Sequence, residues 1–511
     1  MALNQTLNQT EIEALIDAKT KAIQIDYDEA LDTIWMLLAG MLVFFMHAGF
    51  SLLESGSVRF RNAQNILAKN LIVVTAGFLC WYAVGWSLAY GTVEDPNKIS
   101  GGTQFVMDGF WDDKKLFRNW FFQGAFCATA CTIVSGAMAE RTQLKGFGTF
   151  SVVMTCAIYP IVVYWGWSGA GWLWYVDEDG EDKSTVGPAY KDFAGSGLVH
   201  LVGGIGALCG AAIVGPRKGR WTSDDEEAFV AHNIPFVVLG TLCLWFGWFG
   251  FNPGSTLEMH TEAKAHQAGL VAVNTTLAPC VAGLLVFGLQ KTLTGLLEVG
   301  AFCNGILAGL VSITAGCAFV KPWEALLIGA IGGFIYMSAS KLMKLVKIDD
   351  VVDAFAVHGA CGLWGIIAVG LFGDPEQTDG NGLFYGGDQL GVQLLGGVAI
   401  VAWVAATSVL IFLPLKVLGL LRLSDEFQDA GADVMEHTPR KSYTQTPETS
   451  PRKWYNESPE TSPTKTPETS SHTQTPETSP NTGEKVQISY TDQTEQPPLP
   501  PLTSPSEEVD V

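Results

Sequence analysis

Two stretches decide the reading of this chain: DFAGSGLVHLVGGIGA at residues 192–207 and DAFAVHGACG at residues 353–362. Each sets a histidine, His200 or His358, in an apolar run next to glycines and after an aspartate, Asp192 or Asp353. An ionisable side chain inside a membrane span costs about 3 kcal/mol or more and by default marks a substrate or proton pathway. Either histidine alone reads as a helix-packing contact; two at matching places argue for a shared function.

Working outward, apolar runs able to cross ~30 Å of hydrocarbon occur at 33–53, 66–91, 119–139, 146–167, 194–215, 231–251, 268–290, 299–319, 323–341, 352–372 and 389–421. These eleven spans predict an all-α polytopic membrane protein. His200 and His358 fall in spans five and ten, the last of two five-span blocks, and Gly49-Phe50 in span one is echoed by Gly250-Phe251 in span six. An odd-numbered block repeated once is inverted in the membrane, which places a site at the interface of the halves near the midplane. The expected architecture is therefore an inverted 5+5 repeat plus a long eleventh helix, with a pore within each subunit. His47 in span one has no reading beyond packing.

The whole-chain figures, 511 residues with 16% charged and a net charge of −21, average three materials. Residues 424–511 hold 13 of the 23 prolines and 2 of the 56 glycines, with a net charge of −10. Residues 1–32 carry −5 and the membrane portion, 33–423, only −6. The acidity disfavours a nucleic-acid partner. All ten cysteines lie in apolar runs without CxxC or Cys/His metal spacing and read as small hydrophobes. No cofactor or metal is expected.

Residues 1–32 lack the basic start and apolar core of a signal peptide and read as a polar segment. An odd span count puts the termini on opposite sides. With the N-terminus outside, the inner loops and the span ends beside them carry 12 Lys and Arg against 8 outside, the sign that the positive-inside rule requires. An extracellular N-terminus would expose the sequons at Asn4 and Asn8 to glycosylation. Residues 444–511 repeat Pro-Glu-Thr-Ser four times and should remain disordered. Their Ser-Pro and Thr-Pro steps suit proline-directed kinases. The run at 497–502 suits SH3 or WW domains, and the Val-Asp-Val end suits a PDZ pocket.

Several further motifs accompany the histidines: AGFSLLESGSVR at 48–59, FQGAF at 122–126, AER at 139–141 and WFGFNPGS at 248–255. With 192–207 and 353–362, they resemble the Amt/Mep/Rh ammonium transporters, Amt branch, over roughly 33–437. The resemblance implies a homotrimeric, multi-pass plasma-membrane transporter with one pore per subunit. It implies that Trp167, Ser255 and Asp192 form an outer recruitment site, Phe126 and Phe251 a gate, and His200 and His358 a twin-histidine pore, with Asp353 and Trp248 supporting. The segment 424–443 resembles the family's cytosolic regulatory tail, which docks on a neighbouring subunit. Where plant relatives carry a phosphorylated threonine this chain has Met435, leaving Thr438 as the nearby candidate phosphosite. The long tail suggests a eukaryotic source.

Ammonium resembles a small alkali cation in charge and size, so selection has to use its N–H donors and its acidity. Aromatic faces offer cation–π attraction of about 0.5–2 kcal/mol each. Beyond two phenylalanines a desolvated cation costs far more than neutral ammonia, so deprotonation is expected at the gate, with the two histidines relaying the proton. The expected function is net electrogenic ammonium uptake, with methylammonium as an analogue substrate. No nucleophile–base or metal constellation supports an enzyme. Two alternatives remain: an ammonium sensor or transceptor signalling through the tail, and a passive NH3 or CO2 channel. Deleting residues 444–511 separates transport from sensing: labelled methylammonium uptake is expected to persist, and its loss would refute the reading of the tail as dispensable for transport.

Overall fold

The computed structural model describes residues 9–92, 98–177, 179–223, 229–377 and 381–437. Two units divide the chain, Met1–Thr446 and Pro447–Val511. The expectations at Asn4, Asn8, Thr438 and the Pro-Glu-Thr-Ser repeats lie outside the described residues. Among those described, the membrane unit is helical: α1 (Gln9–Ser57), α2 (Phe60–Tyr90), α3 (Lys115–Ala137), α4 (Leu144–Trp167), α5 (Ser196–Val214), α6 (Ile234–Thr256), α7 (Glu262–Thr294), α8 (Val299–Thr314), α9 (Pro322–Leu345), α10 (Phe355–Phe372) and α11 (Gln389–Val417). A small antiparallel sheet, Tyr175–Val176, Asp182–Ser184 and Gly187–Pro188, lies in the chain between α4 and α5.

Among the described residues, ten of the eleven expected spans are helices long and apolar enough by themselves to cross a membrane, and the eighth, α8, is a shorter apolar helix. The run at 299–319 is helical for only 16 residues and then turns. At 1.5 Å per residue that is about 24 Å, short of the hydrocarbon thickness. At the N-terminal end, residues 9–32 are helical and continuous with the apolar part of α1. They contain no glycine or proline to stop a helix, and exposed pairs four residues apart support it: Gln9 donates to Glu13 (3.1 Å) and Gln24 to Asp28 (2.7 Å).

Membrane helices attract one another through close packing rather than hydrophobic expulsion, so small residues mark their crossings. At the contact of α1 with α6, a Cβ on Gly240 would stand 2.5 Å from the backbone nitrogen of Leu53 and 2.7 Å from the Gly49 carbonyl oxygen. The tightest crossing joins α5 and α10, where a Cβ on Gly204 would stand 2.1 Å from the Gly359 nitrogen and 2.4 Å from its Cα. Only a glycine at 204 permits that approach; a Cβ on Gly359 would instead meet the ring of Phe355 at 2.6 Å. Five of the ten free cysteines, Cys127, Cys131, Cys303, Cys317 and Cys361, are buried in this packing, while Cys280 is exposed.

One end of the bundle is pinned by a buried ionic cluster. Arg217 donates to Glu140 (2.9 Å) and Asp349 (2.9 Å), Arg59 also pairs with Glu140, and Arg141 donates to the Asp349 carbonyl. Burial alone would raise the Glu140 and Asp349 carboxyls, but Arg217 overrides it and holds both below the usual carboxylate range. Two short helices, α12 (Asp425–Ala430) and α13 (Ala432–Glu436), follow α11. The Asp433 carboxylate accepts the N–H groups of Gln64 (2.9 Å) and Asn65 (2.8 Å), near the start of α2. In this chain the segment is thus tied to its own α2. Gly204→Ala is expected to destabilise the protein by about 3 kcal/mol or more, because the obstruction is backbone rather than a side chain that can turn aside; thermal unfolding in detergent would show it as a lowered midpoint.

Candidate functional site

Both histidines sit in a π-helical turn that opens its helix, Ser196–Leu201 in α5 and Phe355–Ala360 in α10. Such wide turns occur preferentially at functional sites, since they re-aim side chains that a regular helix would turn away. The turns are built alike. Five residues before each histidine the backbone is left-handed, at Gly195 (φ +101°) and at Asp353 (φ +59°). Eight residues before each stands an aspartate that caps the turn. Asp192 accepts from the N–H groups of Gly195 (2.9 Å), Gly197 (2.9 Å) and Leu198 (2.8 Å). Asp350 accepts from Phe355 (2.8 Å), the same five-residue step as Asp192 to Gly197.

The partner of Asp192 in the repeat is therefore Asp350, not Asp353. Asp353 occupies the place of Gly195, and its carboxylate takes the hydroxyls of Tyr336 (3.1 Å) and Ser340 (2.9 Å). Asp350 was legible in the spacing: eight residues separate 192 from 200 and 350 from 358. Burial raises the Asp192 carboxyl to about 6 and that of Asp350 to about 7, against the opposing pull of the backbone N–H groups they accept.

The expected gate and pore residues form one aromatic column. The indole of Trp167, the last residue of α4, meets Phe126 of α3 edge-on at 6.0 Å between ring centroids. Phe126 stacks on Phe251 of α6 at 4.0 Å and 22°, and Phe251 lies 5.4 Å from His200. His200 faces His358 at 5.2 Å and 20°, with the two Nδ1 atoms 3.2 Å apart. Trp248 flanks His200 at 5.1 Å and 16°, its own N–H held by the Thr314 hydroxyl at 2.9 Å. Phe50 of α1 closes the column against His358 at 6.2 Å. Contact between the two Nδ1 atoms requires one to donate and the other to accept, so the pair shares a proton there. His200 Nε2 is buried with no hydrogen-bond partner among the described residues.

Above Trp167 a cavity of about 600 Å³ opens, lined by Trp174, Asp182, Lys191, Asp192 and Glu376 among others. The Trp167 N–H is taken by the Asp192 carbonyl at 2.7 Å, leaving the indole face available. Half-buried Ser255 donates its hydroxyl to the Phe251 carbonyl at 2.8 Å, so its oxygen faces the surroundings only as an acceptor. His47 is buried, edge-on to Phe44 at 6.0 Å, with both ring nitrogens unpartnered among the described residues. Elsewhere, Asp32 comes together with Glu258 and His260, so that three ligand-type side chains meet. There Asp32 already accepts from the N–H of Met259 (2.7 Å) and from the His260 ring (3.0 Å).

Residues 34–442 match the Ammonium Transporter Family. Among curated relatives, ammonium transporter Amt2 of Archaeoglobus fulgidus is 40% identical over 418 residues, covering 80% of this chain and 87% of that protein. Ammonium transporter 1 member 1 of Arabidopsis thaliana is 39% identical, covering 76% and 80%. Among solved structures, one described as a sensor Amt protein superposes with a TM-score of 0.73 at 32% identity, covering 80% of this chain and 99% of that one. Candida albicans Mep2 gives 0.71 at 28% identity, covering 83% and 92%.

Asp192→Ala would orphan three buried N–H groups at about 1–3 kcal/mol each, whereas Asp350→Ala orphans the single one described at Phe355. Asp192→Ala is expected to lower the unfolding midpoint more, as differential scanning fluorimetry of the purified protein would show.

Proposed function

The chain belongs to the ammonium transporter family, and we propose that it moves ammonium as ammonia and a proton along the aromatic column, with net inward charge. As a family member it is a multi-pass membrane protein that transports ammonium. The observation that carries the mechanism is the 3.2 Å contact between His200 Nδ1 and His358 Nδ1 directly beneath the Phe126–Phe251 stack.

Recruitment uses the half-buried Trp167 face for cation–π attraction and the Ser255 oxygen as an N–H acceptor. Asp192 contributes negative potential from beneath the vestibule and holds the turn that carries His200. The Phe126–Phe251 stack has no room for an ion between its rings, so passage requires the rings to part. Past it, a cation stripped of water loses its hydration in an apolar setting, while ammonia loses little. The N–H bond of ammonium therefore breaks at the gate. Its proton goes to the buried Nε2 of His200, and the pair passes positive charge on by shifting the shared proton between its Nδ1 atoms. Ammonia continues along the apolar path.

In this reading the N-terminus is extracellular, the C-terminus cytoplasmic, and the assembly a homotrimer in the plasma membrane. A sensing role is favoured by one observation, the 0.73 superposition on a structure described as a sensor Amt protein. Reconstituted in liposomes, His200→Asp and His358→Ala are each expected to cut ammonium-evoked current by about a hundredfold, the lower range for losing a positioned proton-transfer group. Unchanged current with unchanged selectivity against potassium would refute the relay.

A further inference from the structure

We propose that Glu54 is the proton acceptor that follows the twin histidines: it takes the proton from His358 through a single water in the cavity the two residues share. This inference rests on the electrogenic reading above and extends it by one station.

Glu54 lies on α1 one turn beyond Phe50, is 1% exposed, and belongs to none of the expected gate or pore positions. A small cavity of about 20 Å³ is lined by Glu54, His358 and Asn304, with Phe50, Leu307 and Val357 among its apolar walls. That volume is about what one water needs, and three polar side chains supply the two to four partners that a buried water takes. Because His358 turns Nδ1 toward His200, its Nε2 points to the opposite side of the ring, away from the gate. The cavity is thus the next polar space along the column.

The carboxylate is held as an acceptor with capacity to spare. Asn70 donates to Glu54 Oε2 (2.8 Å) and to the Ile66 carbonyl (3.1 Å), and its oxygen accepts from Thr132 (2.6 Å). Those three bonds fix which face of the amide Glu54 meets, and they leave Asn70 unable to accept a proton from it. Ser135 lies 2.8 Å from both Glu54 oxygens and 2.7 Å from the Thr132 carbonyl. Two side-chain donors therefore serve a carboxylate that offers about four lone-pair sites. A carboxyl present only to join helices would gain nothing from bordering a water-sized space with an imidazole across it, and its burial would cost several kcal/mol.

The step balances simply. The N–H bond at His358 Nε2 of the charged pair breaks as the cavity water accepts that proton. The water releases one of its own protons to a Glu54 oxygen, and an O–H bond forms there. The histidine pair is left neutral with two protons, one on His200 Nε2 and one shared between the Nδ1 atoms, ready to be reset by the reverse tautomer shift. The water is regenerated, and one proton has moved inward to neutralise Glu54.

The test compares Glu54→Gln and Glu54→Asp with the unsubstituted protein in proteoliposomes. Ammonium-evoked current and uptake of labelled methylammonium are read on the same preparations. Glu54→Gln keeps the shape and the Asn70 contact but cannot take the proton. The ratio of charge moved to labelled substrate moved is expected to fall by at least about tenfold, and Glu54→Asp to restore a substantial part of it. An unchanged ratio in Glu54→Gln overturns the proposal, and so does an equal loss of current and uptake in both variants, which marks a packing role. If Glu54→Gln does not assemble, Glu54→Asp decides: a ratio lowered with uptake retained supports the station, and a ratio identical to the parent's overturns it. Should the unsubstituted protein take up substrate without current, the electrogenic reading itself falls and Glu54 with it; current in the parent that persists in Glu54→Gln removes Glu54 alone.

Discussion

Everything functional in this protein hangs on a backbone contact with no side chain in it, the approach of Gly204 to Gly359. Helices in a membrane gain little from expelling apolar surface, because lipid is as apolar as leucine. What draws α5 and α10 together is that neither carries a Cβ at the crossing, so their main chains meet directly. His200 and His358 each lie within a turn or so of that point. Their separation is a consequence of the crossing, and so is the tilt of 20° between their rings.

The second constraint is the cost of polar groups in such surroundings. The protein meets it by giving its buried carboxylates defined donors. Asp192 and Asp350 are spent on the N–H groups that the two π-helical turns leave open. Glu140 and Asp349 are matched by Arg217, and Asp433 by the first turn of α2. Trp248 is steered by Thr314 so that its ring lies flat against His200. Against that background, the unpartnered Nε2 of His200 and the spare acceptor capacity of Glu54 stand out as groups arranged for something that passes by.

Much of the candidate site could be read from the chain because its residues are chemically out of place where they stand. A histidine in an apolar run is visible without a structure, and so is a repeated pattern of histidine, glycine and aspartate. Reading the sequence names Asp353 before His358 and leaves Asp350, three residues earlier, out of account. The correct choice depends on which carboxylate reaches the open N–H groups of a wide turn, and on the tolerance of aspartate for the left-handed backbone that glycine fills at 195. The length of the eighth helix differs from its apolar run for a related reason. Hydropathy marks where a chain is apolar, not where it stays helical, and the run at 299–319 turns after Thr314.

Sequence by itself determined the fold class and the membrane character and singled out His200 and His358, because these rest on composition and spacing along one strand of chain. The residues of the aromatic column followed only from the resemblance of the motifs to the family. Tertiary structure alone decided which atoms face each other. It set Nδ1 of His200 against Nδ1 of His358, left Ser255 to accept rather than donate, tied Asp433 to a helix 369 residues away, and put Glu54 on a cavity with His358. Those pairings join segments far apart in the chain, and what fixes them is the close packing of helices, in which the absence of a single Cβ moves a backbone by ångströms. No periodicity records that. It is written in which surfaces fit, and surfaces exist only once the chain has folded.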